Sequence, residues 1–378
     1  MKRVVIKSVP IQYHSYFQWL LLGLYEMESN NEVSLRFRLP FYQFVYFFML
    51  NDYLRRESFR FLSKYKMLKN ESYALSGYTM DDKDRKMKFI FDIADSPFAF
   101  DTNLLKSSDI YFKAQCPKVI DPIGFRLSDE VFIPFAEEVL AHQNKIKPAM
   151  LGPRRLAWSI KYAPLRNSYN DYLAHQTDRK KNRLMCYFGG AKGPAIKAVV
   201  KSNGNFDGED IIMSQFANEL QHPNEKRYKL FRMIRKMGNQ CDARVINKDG
   251  VLDDSIYLTK DAPIPLKDFT RHIADFQYNA NVSGFRLSIP NRFIESFMVG
   301  TAIVTDQLSV KWYREFEEEV VELPEMGYLP DRLVDWDLIE KKLSSLKAVN
   351  GQYIMDRFNQ NWAPLALARY VVSELMGH

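Results

Sequence analysis

The chain has 378 residues, 46% of them hydrophobic and 26% charged. That balance suits a soluble globular protein of about two domains and excludes a disordered tail, a low-complexity or collagen-like fibre and a multi-span membrane protein. Lys and Arg number 53 against 46 acidic residues, a net charge of +7, and the three cysteines (Cys116, Cys186, Cys241) are too scattered for a disulfide framework or a zinc knuckle. No basic-then-apolar signal pattern opens the chain, so the expectation is a reducing, cytoplasmic setting.

Residues 1–9, with VVIKSV, read as a buried strand that Pro10 ends. A helical apolar pattern follows over Tyr16–Tyr25, and SLRFRLP (Ser34–Pro40) alternates as a second strand. Phe41–Leu68 is aromatic and basic. Its apolar run of about ten residues is well short of the ~20 that span a bilayer, and it reads as a buried helix in preference to one lying on a surface. KFIFDIADSP (Lys88–Pro97) and SSDIYFKAQCP (Ser107–Pro117) are further strands.

The pattern restarts at RLMCYFGGAKGPAIKAVVKS (Arg183–Ser202), a strand, a glycine-rich turn and a helix. After it come a helix over Lys226–Met237, the strand CDARVI, the helix PLKDFTRHIADF, the strand QYNANV, the helix NRFIESFM, and the strands TAIVTD and VVELP. Strands alternating with helices predict βαβ units and parallel sheets. The expected architecture is therefore α/β, two halves joined near residues 150–182, with a last helix over Pro364–Met376.

Chemistry concentrates in GFRLSIPNRFIESFMVGTAIVTD (Gly284–Asp306). Ser288 is placed to cap a helix with Pro290 in its first turn, and Gly300 to stop it. Arg292 and Glu295, three apart, share a face near the helix start. Free backbone N–H groups beside a guanidinium suit an anion, and a carboxylate one turn further in can grip vicinal hydroxyls. As isolated residues the two make only a surface ion pair.

This segment resembles the nucleotide-sugar-binding segment of exostosin-like and related glycosyltransferases of the two-domain GT-B fold. There a glycine-containing loop, a Ser/Pro turn, an arginine, a glutamate three later, a glycine and an apolar strand follow in the same order. The resemblance implies two Rossmann-like domains facing across a cleft, residues 1–178 binding the acceptor and 179–360 the nucleotide sugar, with a last helix, within 361–378, packing back toward the first. It also implies that Arg292 meets the donor diphosphate and Glu295 the ribose. Many retaining members carry a second glutamate eight positions earlier, where this chain has Leu287; an inverting displacement is therefore preferred. Gly190 and Lys192, in the Gly189–Gly193 turn, are candidates for backbone approach to a phosphate and for its neutralisation. Arg244, Arg286 and Ser288 complete the donor-binding set.

His14 follows the first strand, where ligands meet the carboxyl edge of a parallel sheet. In plant-type glucosyltransferases a histidine at a similar place deprotonates the acceptor, and a near-neutral imidazole suits that task. Asp92 and Asp95 of the FDIADSP turn are the alternative bases, or would orient the imidazole. No metal-ligand spacing, Walker sequence or G-x-S-x-G elbow occurs, and neither metal nor cofactor is implied.

The expected activity is metal-independent transfer of a sugar to a glycan hydroxyl, as in bacterial-type surface polysaccharide or glycoconjugate synthesis. The partners are a nucleotide-sugar donor and a glycan or lipid-linked glycan acceptor, with peripheral contact at the inner membrane face and no nucleic acid. Two other readings stay open. One is a nucleic-acid-binding or scaffold protein using the basic block at 145–201, where thirteen Lys and Arg face two acids. The other is a sugar-nucleotide epimerase of similar fold.

Overall fold

The structure, a computed structural model, describes residues 2–68, 72–82, 84–127, 132–153, 156–189, 223–238, 240–246, 266–283, 287–326 and 331–377. In the first of its two main sheets, β1 (Lys2–Ser8) lies between β2 (Val33–Phe37) and β3 (Ala74–Met80). Beyond β3 come β4 (Lys86–Asp92), β5 (Ile110–Lys113) and β9 (Ile146–Pro148). β3 is antiparallel to both β1 and β4, whereas β1–β2, β4–β5 and β5–β9 are parallel pairs.

The sheet is therefore mixed, not wholly parallel as the sequence pattern predicts. ALSGYTM carries too few large apolar residues to announce β3, and its Gly77 is there for fit: a Cβ at that position would come within 2.6 Å of the Val5 carbonyl oxygen. Because β3 reverses against both neighbours, β1 and β4 point the same way. Five strands thus share one carboxyl edge.

The second sheet has the order β11 (Cys241–Ile246), β10 (Asn182–Gly189), β12 (Phe276–Ala280), β13 (Ala302–Thr305), β15 (Val320–Glu322), with every pair parallel. Counted in chain order this is 2-1-3-4-5, a doubly wound sheet with its topological switch point between β10 and β12. Its inner strands read as continuous buried runs, as a sheet covered on both faces requires: all four residues of β13 are buried.

Two short ribbons complete the sheets. β7 (Phe125–Arg126) pairs with β8 (Phe132–Ile133), and β6 (Cys116–Pro117), just beyond β5, pairs antiparallel with β14 (Val310–Lys311), just beyond β13. The second ribbon stitches the carboxyl edge of the first sheet to that of the second.

α1 (His14–Ser29) is longer at both ends than its apolar core predicts, and its middle, Phe17–Leu24, is wholly buried. The last helix, Pro364–Met376, starts with proline in its first turn and lies directly on α1. A Cβ on Gly23 would sit 1.9 Å from the Pro364 carbonyl oxygen, so the two backbones touch there. The Trp19 indole N–H donates to the Trp362 carbonyl (2.8 Å), and the Tyr370 hydroxyl to that of Pro148 (2.9 Å).

The aromatic run after Pro40 departs from expectation. Tyr46 and Phe47 are buried, but Phe41, Tyr42, Phe44 and Met49 are exposed, so the segment is a surface layer with one anchored face and not a buried helix. The basic block also reads differently once folded. Lys145 reaches the Lys106 and Ser108 carbonyls, Lys161 that of Phe48, and Arg183 those of Leu343, Ser344 and Leu346. Lys147 pairs with Glu374, Arg166 with Glu26 and Lys181 with Asp275. These six cations are bonded within the molecule; Arg154, Arg155, Lys192, Lys197 and Lys201 of the block lie outside the described residues.

Candidate functional site

Right-handed winding sets the geometry. β12 ends at Ala280 on the carboxyl edge of the second sheet, and the Arg292–Met298 helix returns to start β13. Arg292 and Glu295 therefore stand at the carboxyl-edge end of that helix. Its packing explains why it forms: Phe293, Ile294, Phe297 and Met298 are buried, and Phe293 and Phe297 join Trp312, Phe316 and, through Phe297, Trp362 in an aromatic cluster. Gly300, at φ +75, ends it in the left-handed conformation the sequence predicts.

The start of the helix differs from expectation. Asn291 occupies the cap position without a side-chain cap bond, Pro290 lies outside the helix, and Ser288 is buried one step further back. Two turns of helix exert little dipole, so attraction for an anion at this point rests on the Arg292 guanidinium. That guanidinium lies 5.1 Å from the centre of the Phe269 ring, a cation–π contact that fixes it on the 266–274 helix. Glu295, only 3% exposed, is shielded from solvent. Lys180 ties down the other end of the helix, its ammonium donating to the Ala274 and Val299 carbonyls. Leu287, at φ 55 and buried, adopts a left-handed conformation that costs a branched side chain of the order of 1–3 kcal/mol. Such strain collects where a loop must hold a particular shape.

What holds that loop comes from the other sheet. Gln115, fully buried just past β5, accepts from the Ile289 amide (2.8 Å) and donates to the Ile289 carbonyl (3.0 Å), mimicking one rung of a strand ladder. Asn291 Nδ2 donates to the Gly152 carbonyl (2.8 Å). Nearby, Asp306 at the end of β13 receives the Ser283 amide and hydroxyl, both at 2.7 Å, and so ties down the chain just past β12. Sequence reasoning passed over Gln115 and Asp306. The strand-end aspartate in TAIVTD was the available signal for the second; nothing local marks the first.

On the first sheet, His14 opens α1 beside the carboxyl end of β1. Its Nδ1 lies 2.9 Å from the Ile11 carbonyl, which can only accept, so Nδ1 carries the proton and Nε2 the lone pair. Nε2 is buried without a hydrogen-bond partner among the described residues, and the ring is edged by Trp158, Phe47 and Tyr46, with centroids 4.8, 5.5 and 6.5 Å away. Burial, helped by the nearby Arg55 charge and partly opposed by the Ile11 bond, pushes its pKa down to about 4. The tautomer is that of a base, and the imidazole is neutral at pH 7.

Neither aspartate orients it. One oxygen of Asp92 accepts from the Tyr111 hydroxyl and the Lys113 ammonium, each at 2.7 Å, and the other from the Ala94 amide at 2.7 Å. Lys113 is fully buried, so this is a desolvated ion pair tying the ends of β4 and β5 together, and Asp92 is its anchor. Burial also raises the Tyr111 hydroxyl well above its ordinary pKa. Asp95 is the carboxylate of this turn that faces solvent.

Gly190, Lys192 and Arg286 lie outside the described residues. Arg244 is on β11, its side chain likewise outside the description. Among the described residues no group of three or more His, Cys, Asp or Glu is arranged to hold a metal. No family model matches the chain, and no curated protein matches it. Among solved structures it is similar to a chain of "Crystal structure of GtfA/B complex" at 12% identity and a TM-score of 0.34, over 79% of this chain. The match spans 65% of that chain's length. So slight a likeness carries no argument.

Proposed function

We propose that the chain is a glycosyltransferase that moves a sugar from a nucleotide-diphosphate donor to a hydroxyl of a glycan acceptor. One observation carries the reading. A cation and a shielded carboxylate, Arg292 and Glu295, stand at the carboxyl edge of a doubly wound parallel sheet, and the loop before them is bonded to Gln115 and Gly152 of the facing sheet. Ligands of such sheets bind at this edge, and a second sheet presented to it supplies the place for a second substrate.

In this reading residues 1–178 hold the acceptor and 179–360 the donor, with 361–378 returning to the first. The acceptor oxygen attacks the anomeric carbon as the bond from that carbon to the phosphate oxygen breaks, with inversion. The acceptor proton passes to Asp95, because His14 Nε2 is caged by aromatic rings and its basicity is lowered by burial, and the diphosphate leaves with both electrons of the broken bond. Arg292 meets its growing charge, with Lys192 assigned to the same task, and Glu295 holds the ribose hydroxyls.

The test is transfer itself. A thermal-shift screen of UDP-, GDP-, CMP- and dTDP-sugars identifies the donor, and Arg292→Ala is then expected to lose about 10²–10³-fold in turnover with its unfolding curve intact. Near-normal transfer by that variant rejects the assignment. Altered sugar formed from donor without acceptor makes the chain an epimerase instead.

A further inference from the structure

Ten of the sixteen most exposed large hydrophobic side chains among the described residues fall between Phe41 and Tyr73. Phe41 is 81% exposed, Tyr53 70%, Met49 67% and Met67 63%. A patch of this kind on a soluble protein marks a contact surface. It is not a frayed segment. Gln43 accepts from the Val9 amide (3.1 Å) and donates to the Ser8 hydroxyl (3.2 Å) at the end of β1, and Trp158 Nε1 donates to the Tyr46 hydroxyl (3.2 Å). Phe59 packs edge-on against Trp158, and Lys161 bonds the Phe48 carbonyl. The inner face of the segment is thus fastened to the carboxyl edge of the first sheet while its outer face stays apolar.

Charge identifies what that face meets. Within residues 41–67 there are five Lys and Arg against two acids; Asp52 pairs with the buried Arg55 and Glu57 with the exposed Arg60, which leaves a net positive surface. In the Asp52–Lys64 helix, Arg56, Arg60 and Lys64 recur every fourth residue and form one row, beside an exposed apolar row of Leu54, Phe61 and, just past the helix, Tyr65. A basic stripe alongside an apolar one at the surface is the pattern of a helix that lies in a lipid interface. A second copy of the chain is a poor occupant, because a two-fold interface would set the basic rows against each other. No described helix is long and apolar enough to cross a membrane, so the contact is with the surface.

We infer that residues 41–67 form a docking face for an anionic lipid bilayer, with Phe41, Met49 and Phe61 entering the headgroup region and Arg56, Arg60 and Lys64 meeting lipid phosphates. The face adjoins His14 and the carboxyl edge of β1. On the transferase reading, which this consequence alone rests on, the acceptor arrives on a lipid anchor.

The docking face is tested on the full chain without any transfer assay, so its failure is separable from that of the transferase reading. Sedimentation is measured with vesicles of phosphatidylcholine alone and of phosphatidylcholine with about one-third phosphatidylglycerol, at low and high salt. The wild-type chain is expected to bind the anionic vesicles and to release as salt rises. At about fivefold per surface cation, R56E/R60E/K64E weakens that binding by at least about a hundredfold. F41S/M49S, which keeps all charges, weakens it as well. Both variants change exposed side chains, and matching unfolding curves establish that they fold. Failure of the wild-type chain to bind anionic vesicles overturns the inference. So do binding by both variants equal to wild type, a wild-type dimer that the variants dissolve, or displacement from vesicles by a single-stranded oligonucleotide.

Discussion

His14 shows how much a single side chain stores at this site. The folded chain holds it with a pKa of about 4, against 6.5 for an unperturbed imidazole, because burial disfavours the charged ring. Between those two values the unfolded chain carries a proton that the folded chain refuses, so folding stability falls as pH drops through that window and is level above it. The loss between about pH 7.5 and about pH 5 is about 2 kcal/mol. Urea unfolding at the two pH values measures it directly. His14→Leu is expected to lower stability at pH 7 by about 1 kcal/mol through the lost Ile11 bond, while removing most of the loss on acidification. An unchanged pH slope in that variant would mean that the imidazole is not what titrates. That His14 follows the first strand was legible in the sequence, but it opens α1 and does not lie in the loop that the sequence predicts. Its cage was not legible, because Phe47 and Trp158 reach it from distant parts of the chain.

At the scale of elements, the α1 contact with the Pro364–Met376 helix rests on one missing methyl group. Replacing a mid-helix glycine by alanine ordinarily stabilises a helix by about 1 kcal/mol. At Gly23 the sign is expected to reverse, because the added Cβ would lie 1.9 Å from the Pro364 carbonyl oxygen and 2.8 Å from the Ala368 Cβ. Neither is the far end of a flexible side chain, so the last helix must move. Gly23→Ala is expected to cost about 3 kcal/mol and several degrees of melting temperature by calorimetry. A neutral or stabilising result would show that the two helices do not approach as closely as described.

Both helices were readable from their apolar pattern, the last one to the residue, because its periodicity and its leading proline agree. β3 was not, since ALSGYTM relies on its two neighbours for burial and not on its own hydrophobicity. The aromatic run at 41–49 was misjudged for the opposite reason: hydrophobicity alone does not say which face a short segment buries.

At the scale of the whole molecule, the candidate site depends on contacts that no window of sequence contains. Arg292, Glu295 and Gly300 were visible as a local motif, but what presents them to the first sheet is Gln115, 174 residues from Ile289. Among the described residues its side-chain amide alone pairs both Ile289 backbone groups, in a place closed to water. Gln115→Met keeps the volume and removes both hydrogen bonds, leaving a buried N–H and a buried C=O each short by about 1–3 kcal/mol. If the loop over 287–291 is held in its strained form by this clamp, the variant relaxes the loop as well as destabilising the fold. The expected result is a melting temperature lower by several degrees together with a donor affinity weakened about tenfold, read by calorimetry and by titration of the nucleotide sugar that the screen identifies. A surface variant matched for melting temperature separates the two effects. If that control binds donor as weakly as Gln115→Met, the loss is one of stability alone. If Gln115→Met binds donor like the wild-type chain, the clamp does not set the position of Arg292 and Glu295.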